Sequence, residues 1–580
     1  VDANPGQTFT FTTAFDSFTG TANNDTFVGL QANGGATETL SAFDSIDGGA
    51  GTDSLTITNS AAAAYNGPDI TNIETVSYRA TIAGAGLDFD EIAGATTVTL
   101  TGTTGITNFS DVLPTQNLTI KDSAADLDTT ITYKASTVTS ATDTATVNLD
   151  GAGQDAEDIE FAGDVETLTL VTSGDATRLQ ELILDAQTTS LNINAGVSTR
   201  VDTTFTATGT TTVTTTGAGA VRLDATPSAM TTYNAADATG AQTITLNNAT
   251  NATVTGGSAN DSFSFAATLT RSDTIDGGAG TDTVTVTPTA NVSGDLAITN
   301  VETIRIGDVA NSVIVDLDNV VGITNIRQSM GTASNVTTIR DVAVTATTVD
   351  FIGTGVVSGN LAADAIVMDY DSTTDVALTT VNLNNGGVAT SGDITLQTGS
   401  QFNGADAVTI TAADWGTGTG DVVTLGTVTM NKANTVTINS NTDVNLTIAG
   451  IGGAAATDRL TTVDMSGSDA GITLTISSDD DSDVTLGDGA DTFTGGAGDE
   501  TISGGSGADI IDAQGGNDTI NLGAGIDTVR IDFGGEGADI ISDFAAGAGG
   551  DVFDFLGTSD VANSVTNKTS FSIQANANNT

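Results

Sequence analysis

The chain has 580 residues, 38% of them hydrophobic but only 4% aromatic, and its 14 Lys+Arg against 72 Asp+Glu give a formal net charge of −58. That balance excludes the basic face that phosphate binding needs, and with it nucleic acid as a partner; so acidic a chain repels itself, and an anionic lipid surface, unless cations neutralise it. The absence of Cys and His excludes disulfides, thiolate or imidazole metal sites, the Ser-His-Asp triad and the His-Glu-x-x-His zinc site.

The chain opens Val1-Asp2-Ala3-Asn4-Pro5, without the charged start or apolar stretch of a signal peptide. It is therefore expected to be processed or part of a longer protein, with any anchor outside the numbered residues. No run approaches the length of a transmembrane helix. Abundant Thr, Val and Ile favour strands, and the 68 Gly weaken long helices. The expected fold is all-β.

Residues 1–80 read as a first module. A Gly/Asn/Asp turn at 20–27 contains Asn24 and Asp25, and a spacer leads to Asp47-Gly48-Gly49-Ala50-Gly51-Thr52-Asp53. A strand follows, then Asn72-Ile73-Glu74-Thr75-Val76. Residues 81–253 form a Thr/Val/Ala-rich β region. Its runs at 97–100, 145–149, 166–170 and 243–246 alternate apolar with polar residues, as half-buried strands require. Asp164-Val165-Glu166-Thr167-Leu168 repeats the Asn-x-Glu-Thr pattern.

Residues 254–306 repeat the first module in the same order, with Asn260 and Asp261 in the first turn, Asp276 to Asp282 in the second, and Asn300-Val301-Glu302-Thr303-Ile304 closing it. In 307–485 the runs at 435–438, 444–448, 460–463 and 472–476 come at short intervals. Such spacing suits rungs of a parallel solenoid and suits a β-sandwich nearly as well. The solenoid gains weight because this stretch runs straight into an array, 486–556. Residues 557–580 form a C-terminal tail. The run Asp479-Asp480-Asp481-Ser482-Asp483 reads as a solvated charge run, without the alternating ligands and closing glutamate of an EF-hand.

Five nonapeptides run in phase from 486 to 530: LGDGADTFT, GGAGDETIS, GGSGADIID, AQGGNDTIN and LGAGIDTVR; a sixth, GGEGADIIS at 534–542, follows after an offset. The pattern is G-G-x-G-x-D-x-U-x, with U a large apolar residue. The glycines permit positive φ and leave carbonyls facing inward without a Cβ in the way. The aspartate at position six offers a carboxylate to a hard cation, and Ca2+ takes six to eight such oxygens. Position eight, here Phe493, Ile502, Ile511, Ile520, Val529 and Ile541, points into a core. A flexible Gly/Asp linker has no reason to keep that residue.

If nine residues make half a coil, carboxylates 18 apart share an ion: Asp491 with Asp509 and Asp509 with Asp527 on one edge, Glu500 with Asp518 on the other. Glu500 and Gln514 depart from the pattern and are expected to reshape their turns. The candidate calcium ligands are Asn24, Asp25, Asp47 and Asp53 in the first module and Asn260, Asp261, Asp276 and Asp282 in the second. In the array they are Asp488, Asp491, Asp499, Glu500, Asp509, Asp512, Asn517, Asp518, Asp527 and Asp539.

The array resembles the RTX repeat family, whose repeats form a parallel β-roll around calcium after export, typically by a type I system. The Phe18–Val28 stretch, with TANNDTF at its centre, and the Asp47–Asp53 turn are similar to the start of the lattice-forming domain of RTX-type surface-layer proteins of Gram-negative bacteria. That resemblance implies a cell-surface protein whose calcium-dependent two-dimensional lattice is built from copies of itself. It also implies binding to outer-membrane lipopolysaccharide through a region outside this chain.

A structural surface-layer protein, not an enzyme, is therefore the expected function. A calcium-dependent adhesin or motility-associated surface protein is the alternative. An RTX-tailed enzyme acting on polysaccharide stays open, because a carboxylate-only glycosidase needs no His, although Trp415 is the only tryptophan for a sugar cleft.

Overall fold

The computed structural model describes residues 6–556 apart from 33–36, 63–67, 69, 83, 93, 102–106, 122–128, 152–156, 247–250, 293, 308, 331–335, 343–347, 354–364, 371–379, 386–388, 391–393, 399–406, 415–421, 431–433, 450–458 and 533–536. Val1–Pro5, Trp415, the start of the sixth nonapeptide and the 557–580 tail lie outside the described residues. The chain is all-β, a parallel β-solenoid; among the described residues it has one short 3-10 turn, Phe89–Ile92. It divides into two compact units, Val1–Val301 and Glu302–Thr580, except that 269–271 and 285–297 belong to the second.

In the first unit the chain alternates between two parallel ladders, two strands to a coil. Thr144–Asp150, Thr167–Ser173, Ser190–Ala195 and Thr212–Thr216 stack on one face, while Glu157–Ala162, Thr177–Leu184 and Thr199–Thr206 stack on the other. The register decides the packing. On the first face Leu168 sits over Leu191, then Val213, Tyr233, Val254 and Ile275, all fully buried. The alternate residues of the same strands, Thr169, Asn192 and Thr214, form a polar ladder facing outward. Strict apolar–polar alternation is what lets one face of each strand enter the core. Each such side chain contributes roughly 1.5–3 kcal/mol by leaving water.

Two of the buried tyrosines find partners for their hydroxyls. Tyr78 donates to the Gly86 carbonyl (2.7 Å) and accepts from Asn59 (2.8 Å); Tyr233 donates to Gln242 (2.6 Å). Outside, Arg178, Arg200 and Arg222 stack in register, and Asp202 and Asp224 bridge them. Like charges one rung apart would repel, and the interleaved carboxylates turn that column into alternating ion pairs.

The second unit repeats the plan with shorter coils towards its end. Leu474, Phe493, Ile511 and Val529 stack on one face; Val463, Val484, Ile502, Ile520 and Ile541 stack on the other. Strands here are three residues long, such as Thr492–Thr494 and Thr501–Ser503, so one apolar residue per strand fills the core. Pairing is parallel in every register described. Parallel rungs rule out the β-sandwich alternative for 307–485, because a sandwich needs antiparallel neighbours.

Candidate metal centre

Each glycine turn stacks on the turn of the next coil, and two columns of carboxylates result. In the array the coil length is 18 residues. The Asp491 N–H donates to Asp509 Oδ1 (2.8 Å) and the Asp509 N–H to Asp527 Oδ1 (2.9 Å). On the other edge the Glu500 N–H donates to Asp518 Oδ1 (2.8 Å). The structure thus brings together the pairs that the 18-residue spacing predicts. Asp539 continues the second column by accepting from the Asp518 N–H (3.1 Å).

Glycine is required because the turns touch. A Cβ on Gly507 would lie 1.8 Å from the Gly489 carbonyl oxygen, and Gly507 has φ 138°. Gln514 holds a turn position that is glycine in its neighbours and adopts φ 65°. Its side chain donates to Asp512 Oδ1 (2.7 Å), which offsets part of that strain and occupies Asp512.

The two isolated modules are built alike. The Asp25 N–H donates to Asp53 Oδ1 and the Asp261 N–H to Asp282 Oδ1, both at 2.7 Å. Asn24 and Asn260 tie the turns from outside, accepting from the N–H of Thr52 (3.0 Å) and Thr281 (2.9 Å). Asp499 and Asn517 do the same in the array. Asp47 and Asp276 stand apart from the columns. Each caps its own turn, accepting from Gly49 N–H or Gly278 N–H, and each accepts from Asn72 or Asn300 of the next coil. Those two asparagines take φ 53° and 51°, a left-handed conformation Asn tolerates better than most residues. Asp488 is exposed on its turn.

What the columns can do chemically follows from the oxygens left over. Asp53, Asp509, Asp518 and Asp527 each keep a buried Oδ2 with no hydrogen-bond partner, and Glu500 keeps both Oε atoms so. Buried carboxylate oxygens without donors are costly unless something positive meets them. Burial, reinforced by neighbouring carboxylates, pushes Glu500 up to about 8; burial, against the Asp491 N–H, pushes Asp509 up to about 7 and similarly Asp518 to about 6. Burial also raises Asp261, Asp491, Asp527 and Asp53. At Asp25 burial is outweighed by hydrogen bonds from the N–H groups of Gln7 and Thr21, and the group is lowered. An all-oxygen, carboxylate-rich donor set suits a hard divalent ion of calcium's size and offers nothing to a soft one.

Two acidic residues not named as candidate ligands, Glu74 and Asp551, extend the columns, and two others, Glu166 and Asp543, accept similar backbone bonds outside them. Glu74 extends the first module by accepting from the Asp53 N–H (2.7 Å). Glu166 accepts from the Asp143 N–H (2.8 Å) in a stretch with no glycine nonapeptide. Asp551 accepts from the Asp527 N–H (3.0 Å), and Asp543 accepts from Leu522 N–H (2.7 Å). The Asn-x-Glu-Thr repeat was the available signal for Glu74 and Glu166. Elsewhere Asp88, Asp90 and Asp111 converge, with Lys134 paired to Asp90.

A family model describing the RTX calcium-binding nonapeptide repeat matches the chain in four copies, at 40–56, 268–286, 478–511 and 494–529. The second glycine turn of each isolated module and the array up to residue 529 fall within those matches. The chain thus carries RTX-type repeats, and such repeats bind calcium. A search of curated proteins finds no match. No helix among the described residues is long and apolar enough to cross a membrane.

Proposed function

We propose that this is a structural, non-catalytic protein of a bacterial surface layer, in which calcium first folds the coils and then joins copies of the chain into a sheet. The observation that carries the reading is the placement of the carboxylate columns. They occur at 25–74 and 261–282 as well as in the array, instead of being confined to one C-terminal tail. Outward ladders of Thr and Asn, together with the charge of −58, give copies of this chain surfaces that divalent cations can bridge. The absence of His and Cys fits a role without acid–base or nucleophilic chemistry. Anchoring to lipopolysaccharide through a region outside this chain, and export by a type I system, belong to the same proposal.

Circular dichroism with negative-stain microscopy, in EGTA and then in millimolar calcium, tests it. Calcium is expected to raise β content and produce ordered sheets. Monomeric particles with raised β content would overturn the lattice and leave the adhesin reading. No response to calcium would overturn the calcium reading as well.

A further inference from the structure

The arginine column on the outer surface of the first unit holds more cation than its own carboxylates use. Arg178, Arg200 and Arg222 follow one another in register on three consecutive coils, with Asp202 and Asp224 interleaved between them. Three guanidiniums against two carboxylates leave one positive charge, in a chain that has 14 Lys+Arg in all and a formal charge of −58.

The geometry shows which atoms are spare. Arg178 is held through Nε by Asp202 Oδ2 (2.6 Å), and Arg222 through Nε by Asp224 Oδ1 (2.7 Å). Arg200 uses Nε on Asp202 and Nη2 on Asp224 Oδ2 (3.0 Å). The two outer arginines therefore keep their paired Nη groups, the fork that grips a carboxylate at two points. The three arginine side chains are 50%, 39% and 51% exposed, against 10% and 22% for Asp202 and Asp224, so the guanidiniums face solvent over recessed carboxylates. The fold does not require this column. The next coils place Thr243 and Ser262 at the same register position, and exposed ion pairs add little to stability. What the column does supply is guanidiniums already fixed in place, which lowers the cost of ordering them against an anion.

We propose that this stripe is a contact surface for a second copy of the chain, received through its carboxylates, at which no bridging ion is needed. The inference rests on the sheet reading above and names one of its surfaces. Charge complementarity selects the occupant. With 72 Asp+Glu a copy approaches as a polyanion, and two such chains repel unless something positive lies between them. The spacing fits as well. Arg178 and Arg222 are two rungs apart, roughly 10 Å, and carboxylates on successive rungs of another copy are built on the same spacing, so several can be met at once.

The test is sedimentation velocity with negative-stain microscopy on the full chain in saturating calcium, over a series of sodium chloride concentrations, with circular dichroism as the folding control. Arg178→Gln/Arg222→Gln is expected to need severalfold more protein than the wild type to assemble at low salt, at unchanged β content, and the gap is expected to close as salt rises. Arg79→Gln/Arg271→Gln removes the same charge from exposed arginines elsewhere and is expected to assemble as the wild type does. Arg200→Gln breaks the internal pairs but leaves both spare forks, and is expected to do less harm than the outer pair; a column that served only the fold would show the reverse order and overturn the proposal. Equal assembly by the outer-pair variant and the wild type would also overturn it, and dextran sulfate bound by the wild type alone would then give the stripe to a foreign anion. Equal loss in the Arg79/Arg271 control would make net charge the cause and overturn it too. If no sheet forms but the wild type gives salt-sensitive small oligomers that the outer-pair variant loses, the sheet reading falls and the stripe stands. A wild type that stays monomeric at every salt concentration overturns both.

Discussion

Single positions in the turns are governed by two constraints, φ and the protonation of buried carboxylates. Gln514 satisfies the first poorly and compensates through Asp512. Gln514→Ala keeps the strained φ and loses the bond, so it is expected to cost about 1 kcal/mol. Gln514→Gly loses the same bond but relieves the strain, and is expected to stay within about 0.5 kcal/mol of wild type. Thermal melts in saturating calcium separate the two. The second constraint makes the metal-free protein sensitive to pH. Glu500, Asp509 and Asp518 are raised in the fold to about 8, 7 and 6, so between pH 4 and 8 the folded chain holds more protons than the unfolded one. Its stability must then fall as pH rises through that window, by roughly 1.4 kcal/mol per pH unit for each proton lost. In EGTA the array is expected to be better folded at pH 5 than at pH 8. Calcium should cancel the difference at pH 8, because the ion replaces the protons. A metal-free array more stable at pH 8 than at pH 5 would contradict the burial of these groups.

At the scale of the strand, one apolar residue per three-residue strand carries the core of the array. Ile511, fully buried between Phe493 and Val529, is therefore expected to cost about 2–5 kcal/mol when cut to Ala, measured as a shift in urea midpoint in calcium. This element was legible in the sequence because an apolar residue recurred every nine positions, and the coil length of 18 followed from it. The longer coils were less legible. Period-two alternation at 435–438 or 472–476 is the same in a sandwich and a solenoid, and parallel pairing is a property of two strands that neither one carries alone. Glu74 and Glu166 were hidden for a related reason. Their bonds to the preceding coil span 21 and 23 residues, a length no glycine pattern marks.

For the molecule as a whole, the charge of −58 and the carboxylate columns lead to the expectation that the fold depends on calcium. Removal of calcium is expected to loosen the three-residue rungs of the array before the long-stranded coils between 144 and 216, where apolar stacking is deeper. Hydrogen exchange in EGTA and in calcium would show it as protection lost first at 492–529. Equal loss of protection in both stretches would mean that the ions hold the whole chain and not the array in particular.

The direction of the hydrogen bonds in the columns has one more consequence. Asp509 accepts the N–H of Asp491 and gives its own N–H to Asp527, so each turn is completed by a side chain that belongs to the turn after it. The array therefore behaves as a line of coupled switches, each one set by its neighbour. A fault in the middle cuts the line into two short runs, whereas a fault at the end only trims it. Asp509→Asn should flatten the calcium titration of β content as well as shift its midpoint. Asp551→Asn should shift the midpoint and leave the steepness nearly intact.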